Sequence, residues 1–204
     1  MITVIITSFT NYGDYTTPLI KSILASEKNL EILVIDNGSS KPYPPRKNYR
    51  IHRFSEPVSW SRMLNTGAAL ASGEWLIILN DDVRCLGKFA NFVQSLNPKF
   101  FYGAEAKVKP ASWFGAPVHY MKLWILVITK ALYFEIGGMD EWYENASVDD
   151  IDFCWTAHQK GINFRVERFP FKHLETSRRK KWDGFDEQTK KSIAYLKEKV
   201  EAAL

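Results

Sequence analysis

At 204 residues, with 46% hydrophobic and 25% charged side chains, the chain is long enough for one core of good size and is composed like a globular protein, not a disordered or fibrous one. Its net charge of +4 is too mild to indicate nucleic-acid binding and fits an anionic substrate or a membrane surface. No apolar run reaches the roughly 18 residues of a membrane-spanning helix. Met1–Thr7 lacks a basic n-region and a cleavage site and reads as a strand, not a signal peptide.

Ile2–Thr7 is a continuous apolar, β-branched run, which predicts a buried parallel strand. The polar turn Ser8–Asp14 follows. Thr16 or Thr17 then caps a helix running to about Ser26, with Pro18 in its first turn. Glu31–Asp36 is a second strand ending in a carboxylate and the turn Asn37-Gly38-Ser39-Ser40. Lys41–Lys47, rich in Pro and basic residues, is loop, and Arg50–Phe54 is a short third strand. Ser59–Ala71 reads as a helix ended by Ser72-Gly73, with a small-residue face of Gly67, Ala68, Ala69 and Ala71 to pack on the sheet. The next apolar run, Glu74–Val83, is the central strand. This βαββαβ rhythm is that of a parallel, doubly wound half.

After about Asn97 the rhythm changes. Phe100–Val108 and Leu123–Thr129 read as strands, separated by a loop holding Pro110, Trp113, Gly115 and Pro117. Lys130–Ile136 is a short helix stopped by Gly137-Gly138, and Val148–Lys160 a helix with an acidic first turn. Asn163–Arg168 is the last strand. Lys172–Asp183 is a basic, mobile stretch. Glu187–Leu204 is a helix with Ile193, Leu196, Val200 and Leu204 on one stripe. Cys85 and Cys154 have no metal-type spacing and read as free thiols of a reducing compartment.

The central strand ends in Asn80-Asp81-Asp82. Ligands of open α/β sheets bind beyond the carboxyl ends of the strands. Two adjacent carboxylates there repel each other unless a cation neutralises them. The pair admits two readings: a site for a hard divalent cation that holds phosphates, or a cap on a following helix. The 14% aromatic content likewise admits a cleft lined with flat side chains or a large-residue core.

Three features occur in order. They are Ile2–Ser8 with Glu31–Ser40, then Asn65-Thr-Gly67 with Ala71–Asp82, and then Phe134–Glu141 with Asp149-Asp150-Ile-Asp152-Phe153. Over roughly Ile2 to His173 this set resembles the family 2 glycosyltransferases of the GT-A fold. The resemblance implies an α/β, Rossmann-like, mixed and mainly parallel sheet flanked by helices. It implies a single domain with a nucleotide-sugar-binding half (1–97), an acceptor half (98–172) and a basic lid with a C-terminal helix (173–204).

The resemblance also implies roles. Asp36 binds the nucleotide base, Thr7 and Ser8 flank base and ribose, and Arg62 reaches the base or diphosphate. Asp81 contacts the ribose or metal-bound water, and Asp82 contacts Mn²⁺ or Mg²⁺, with His173 near the metal. Asp150 is the general base of an inverting displacement. Trp142 and Asp149 lie on the acceptor side, where Tyr143 also offers a ring, and Arg178–Lys181 closes over the diphosphate. Each has a plainer reading: Asp36 as a turn cap, Asp149-Asp150 as an acidic helix start, Trp142 and Tyr143 as core, Arg178–Lys181 as a solvated basic run. Met139 stands where the family has an aromatic, and Thr7-Ser8-Phe9-Thr10-Asn11 replaces its Pro-Thr-Tyr-Asn pattern.

The expected activity is transfer of a sugar from a UDP, GDP or dTDP donor to a saccharide or lipid-linked acceptor, without nucleic acid. Two other classes compete. A nucleotidyltransferase needs a Gly-rich basic loop after the first strand, and Ser8–Asp14 has one glycine and no Lys or Arg. A non-catalytic nucleotide- or sugar-binding module has no need of both Asp82 and Asp150. The expected location is cytoplasmic. The C-terminal stripe, flanked by Lys190, Lys191, Lys197 and Lys199, serves either peripheral contact with the inner face of an anionic membrane or packing on its own domain.

Overall fold

Every residue of β1 (Ile2–Ser8) is buried, because the strand is covered on both faces. In the computed structural model, which describes all residues except 11, 45–46, 145–146, 176–184 and 204, Val4 and Ile6 meet Leu19, Ile20 and Ile23 of α1 (Thr16–Ser26). Ile5 points the other way. β2 (Glu31–Asp36) and β3 (Arg50–Arg53) follow, and then α2 (Trp60–Leu70), whose Met63, Leu64 and Ala68 pack with Ile5. Gly67 lets that helix approach: a Cβ there would lie 2.7 Å from Ile5. Of the small residues expected to face the sheet, Gly67, Ala68 and Ala71 are buried and Ala69 is exposed.

β4 (Trp75–Asn80) is the central strand, parallel to β1. It begins just after Gly73, which does not have a left-handed backbone as a helix stop would. Its lack of a side chain has another use. A Cβ would sit 2.6 Å from the Thr3 amide nitrogen, and its own N–H donates to Thr3 Oγ1 at 2.8 Å.

The second part of the chain departs from expectation in several places. Val83–Cys85 forms a strand, β5, and Ala90–Gln94 a short helix, α3. The apolar stretch 100–108 is two strands, β6 (Phe101–Gly103) and β7 (Ala106–Lys109). Hydrophobicity runs through both, but the pairing partners differ, and pairing defines a strand. The expected loop that follows holds α4 (Ala111–Phe114) and β8 (Val118–Met121), which pairs with β7 as a separate ribbon. β9 (Ile125–Thr129), α5 (Lys130–Ile136) and α6 (Asp149–Gln159) come next. β10 (Phe164–Val166) is not the last strand. Phe171–His173, which overlaps the start of the stretch Lys172–Asp183 read as basic and mobile, forms β11 against β5. The chain ends in α7 (Phe185–Glu201).

The main sheet has seven strands in the order β10-β6-β9-β4-β1-β2-β3. β3, β2, β1 and β4 are mutually parallel, β10 is parallel to β6, and β9 runs antiparallel between β4 and β6. This is the mixed, mainly parallel sheet expected. Within the α7 stripe, Leu196 and Val200 are fully buried against Phe114, Val118, Tyr143 and Trp155 and Ile193 is partly buried there, while Leu204 lies outside the described residues. The buried Leu196 and Val200 side chains are not available to a membrane surface. Among the described residues no helix is long and apolar enough to cross a membrane.

Candidate functional site

The registers place the ends of β1, β2 and β4 level: Ser8 lies beside Asp36, and Thr7 beside Asn80. Asp81 and Asp82 follow at once, and both are buried. The helix-cap reading of the pair fails, because β5 and not a helix comes next.

Asp81 is braced by hydroxyls. Ser8 Oγ donates to Asp81 Oδ2 at 2.9 Å, and Thr16 Oγ1 lies 3.4 Å from the same oxygen. Ser8 Oγ also lies 2.5 Å from Thr16 Oγ1 and 2.6 Å from Tyr43 OH. Thr16 therefore does not cap α1. The cap position is Tyr15, which makes no side-chain capping bond, while the Thr16 hydroxyl serves the carboxylate. Thr7 is turned into the sheet, its Oγ1 3.5 Å from Leu79 O.

Asp82 is gripped from the opposite direction. Its carbonyl accepts from Leu174 N–H at 2.9 Å, and its Oδ1 lies 3.3 Å from His173 Nε2. The imidazole is held flat on Trp124, with ring centroids 5.0 Å apart and planes 3° apart. Trp124 in turn accepts the Asn80 N–H through its carbonyl. The β5–β11 pairing thus carries a residue ninety positions away to the end of the central strand.

Asp36 is fully enclosed. Its Oδ1 accepts from Ser39 N–H at 3.0 Å, which is the turn-capping role. Its Oδ2 makes no hydrogen bond and faces Arg53 Nε at 3.5 Å. Arg62 is exposed on α2, its guanidinium 5.9 Å above the Phe54 ring beside this strand end.

In the second half, Asp149 opens α6 and is buried, so little of it is open to a ligand. Asp150 is only partly buried, and its Oδ1 accepts from Ile151 N–H at 2.9 Å. Tyr120 is pushed up by burial and, next, by the neighbouring Asp150 charge. Trp142 is exposed and stacks one face on Tyr195, centroids 4.0 Å apart at 17°. Tyr143 is core and offers no ring to a ligand. The basic run Arg178–Lys181 lies outside the described residues.

Three positions carry more than their sequence signal. Tyr43, in the stretch read as plain loop, is buried with its hydroxyl on Ser8 and its ring 4.4 Å from Tyr12. A Tyr amid prolines was the available clue. Arg53 pairs with Asp36 and donates to Ser39 O at 2.5 Å. Asn65 uses its whole amide. Oδ1 accepts from Tyr133 OH at 2.7 Å and Met139 N–H at 2.9 Å, and Nδ2 donates to Met139 O at 2.9 Å and Glu141 Oε1 at 2.8 Å.

Among the described residues, no three His, Cys, Asp or Glu side chains cluster closely enough to hold a metal ion by themselves. An ion at Asp82 would take its remaining ligands from a bound substrate. The donor set, carboxylate oxygens with one imidazole, suits a hard or borderline divalent cation. A cavity of about 290 Å³ lies elsewhere, lined by His119, Cys154, Trp155, His158 and Phe164 among others, and it contains none of these carboxylates.

The family described as glycosyl transferase family 2 matches residues 3–162. The chain belongs to glycosyl transferase family 2. No curated protein matches this family 2 chain in sequence. Several solved structures share its fold. GalNAc-T7, crystallised with UDP, GalNAc and Mn²⁺, is 14% identical with a TM-score of 0.71, over 85% of this chain and 43% of that one. The mannosyltransferase PcManGT from Pyrobaculum calidifontis, in complex with GDP-Man and Mn²⁺, is 17% identical with a TM-score of 0.63, over 81% and 54%. S. aureus TarS 1–349 is 16% identical with a TM-score of 0.60, over 83% and 59%. The family 2 chain thus matches only about half the length of these proteins, and the shared part is the GT-A fold.

Proposed function

We propose that this protein is a metal-dependent, inverting glycosyltransferase that moves a sugar from a nucleotide-diphosphate donor to an acceptor hydroxyl, with Asp150 as general base. One observation carries the reading. Asp81 and Asp82 stand at the level ends of β1, β2 and β4, one braced by the Ser8 and Thr16 hydroxyls, the other beside His173. Similar structures solved with UDP or GDP-Man and Mn²⁺ support a donor of this class.

The residues divide the work. Asp36 Oδ2, which has no hydrogen bond within the protein, accepts from a base N–H once the Arg53 side chain gives way. Ser8 and the backbone of Thr7 flank base and ribose, and Asp81, braced by the Ser8 hydroxyl, contacts the ribose. Arg62, exposed above Phe54, is free to reach the diphosphate. Asp82, with His173 at its side, would hold Mn²⁺ or Mg²⁺, which would supply Lewis-acid stabilisation of the diphosphate leaving group.

On the acceptor side, Trp142 presents the ring face that Tyr195 leaves open to a sugar's C–H face. Asp150 takes the proton from the acceptor hydroxyl as that oxygen attacks the anomeric carbon, and one displacement inverts the centre. The acceptor is a saccharide or a lipid-linked saccharide. Two buried free thiols favour a reducing, cytoplasmic setting.

The test is calorimetric titration of UDP, GDP, dTDP and CDP, each with Mn²⁺ and again with EDTA. The expected result is metal-dependent binding of one diphosphate, lost in Asp82→Ala. Absence of binding to all four, followed by absence of binding to the corresponding nucleotide sugars, would overturn the reading.

A further inference from the structure

The C-terminal helix grips two separate segments of the acceptor side through one cation. Lys199 Nζ lies 3.0 Å from Asp140 Oδ2, and 2.7 and 2.8 Å from the two oxygens of Asp152. Asp140 belongs to the turn after α5, two residues before Trp142. Asp152 belongs to α6, two residues after Asp150. Tyr195, one helical turn before Lys199, donates its hydroxyl to the same Asp140 oxygen at 3.0 Å and stacks on Trp142. Beneath them Leu196 and Val200 are fully buried against Val148 and Ile151, which flank Asp149-Asp150.

The Lys199 ammonium compensates two carboxylates that the fold takes out of water. Asp152 is 2% exposed, and burial pushes its carboxyl up against the pull of Lys199. For Asp140 burial acts the same way, but the Trp142 N–H and Lys199 outweigh it and hold that carboxyl low. Without the ammonium, a buried carboxylate and a half-buried one would face each other beside the enclosed Tyr143 ring. An uncompensated buried charge is relieved by moving its backbone or by taking up a proton. The first response shifts the first turn of α6, and the second removes the ion pair that ties it to the Trp142 turn.

We propose that Lys199 is a positioning residue for the transfer reaction: by bridging Asp140 and Asp152 it fixes the Trp142 turn against the first turn of α6, and so places the Asp150 carboxylate opposite the acceptor platform. This rests on the glycosyltransferase reading above. The ion-pair partners of Lys199, Asp140 and Asp152, both lie on the acceptor side. Small misplacements of a catalytic group are costly, because general-base catalysis needs hydrogen-bond reach to the attacking hydroxyl.

The experiment uses the full chain with Lys199→Met, Lys199→Arg and Lys199→Gln, and three readouts. The first is Mn²⁺-supported binding of the nucleoside diphosphate that the wild type takes, expected to stay within about twofold. The second is hydrolysis of the matching nucleotide sugar, with water as acceptor. Lys199→Met is expected to lower kcat about 10- to 100-fold with donor KM little changed, and Lys199→Arg to recover most of it. The third is amide hydrogen exchange at residues 139–142 and 150–153, expected to quicken about tenfold or more in Lys199→Met while β1 and β4 stay protected. If Lys199→Met fails to fold, Lys199→Gln, which keeps a donor and the packing but not the charge, carries the same comparison. Wild-type hydrolysis in the neutral variant, or exchange that quickens only within α7, overturns the proposal. A wild-type chain that binds no nucleotide overturns the transferase reading instead, and the exchange measurement still decides whether the bridge couples the two segments.

Discussion

The amide of Asn65 and the peptide group of Met139 exchange two hydrogen bonds, each 2.9 Å long, across seventy-four positions of sequence. Asn65 lies on α2, which packs on the parallel strands. Met139 lies in the turn after α5. The pair therefore ties the helix beside the proposed donor site to the turn that carries Trp142. Gly138 makes room for it. That residue has φ +72°, and a Cβ there would come within 2.7 Å of Asn65 Oδ1. Asn65→Ala leaves the Met139 N–H and the buried Tyr133 hydroxyl without their acceptor. It is expected to destabilise the protein by about 2–3 kcal/mol in urea denaturation. A loss below about 0.5 kcal/mol would show that the tie is dispensable.

His173 tests the reach of the β5–β11 ribbon. Its imidazole touches Asp82 and is held flat on Trp124. His173→Ala is expected to weaken Mn²⁺-supported nucleotide binding about tenfold, and Asp82→Ala to weaken it more. Neither change should alter whatever residual binding is measured in EDTA. Calorimetry on the two variants decides it.

Asp150→Asn keeps the shape of the side chain and its hydrogen bond to the Ile151 N–H but removes the basic oxygen. Nucleotide binding is expected to stay within about twofold of wild type, and turnover to fall about 10²–10⁴-fold. Product analysis on the residual activity should still show inversion. Normal turnover in Asp150→Asn would move the base elsewhere, and Asp149, buried at the helix start, is poorly placed to take over.

Glu31 gives the fold a pH dependence of known sign. Burial alone would raise its carboxyl. Bonds from the Thr3 hydroxyl, the Ser72 N–H, Arg50 and the Ser72 hydroxyl outweigh this and hold it below its ordinary value of 4.5. A carboxyl with a lowered folded-state value stabilises fully above the unfolded value, and that contribution fades as pH falls through the folded one. Glu31→Gln should therefore be less stable than wild type by roughly 1 kcal/mol near neutral pH. The gap should close well below pH 4.5. Denaturation midpoints of both proteins, measured near neutrality and in acid, check it.

Much of the first half was legible in the sequence. Ile2–Thr7, Glu31–Asp36 and the run before Asn80 are buried on both faces, so they appear as unbroken apolar stretches, and their polar ends mark the edge where Ser8, Asp36 and Asp81-Asp82 gather. The second half was less legible. Short strands such as β7, β8, β5 and β11 span three or four residues each and carry little periodic signal.

By itself, then, the sequence determined the parallel αβ core, its family and the carboxylates at the strand ends, because burial on two faces and turn chemistry are local properties. Only the tertiary structure decided what those carboxylates touch. Thr16 braces Asp81 instead of capping its helix, Tyr43 leaves its loop to reach Ser8, and His173 comes to Asp82 through a strand pair. Lys199, one of the lysines flanking the C-terminal stripe, joins Asp140 and Asp152. These contacts depend on which distant segments pair and how far each helix is rotated. That is settled by packing the whole chain and has no signature in any one stretch of it.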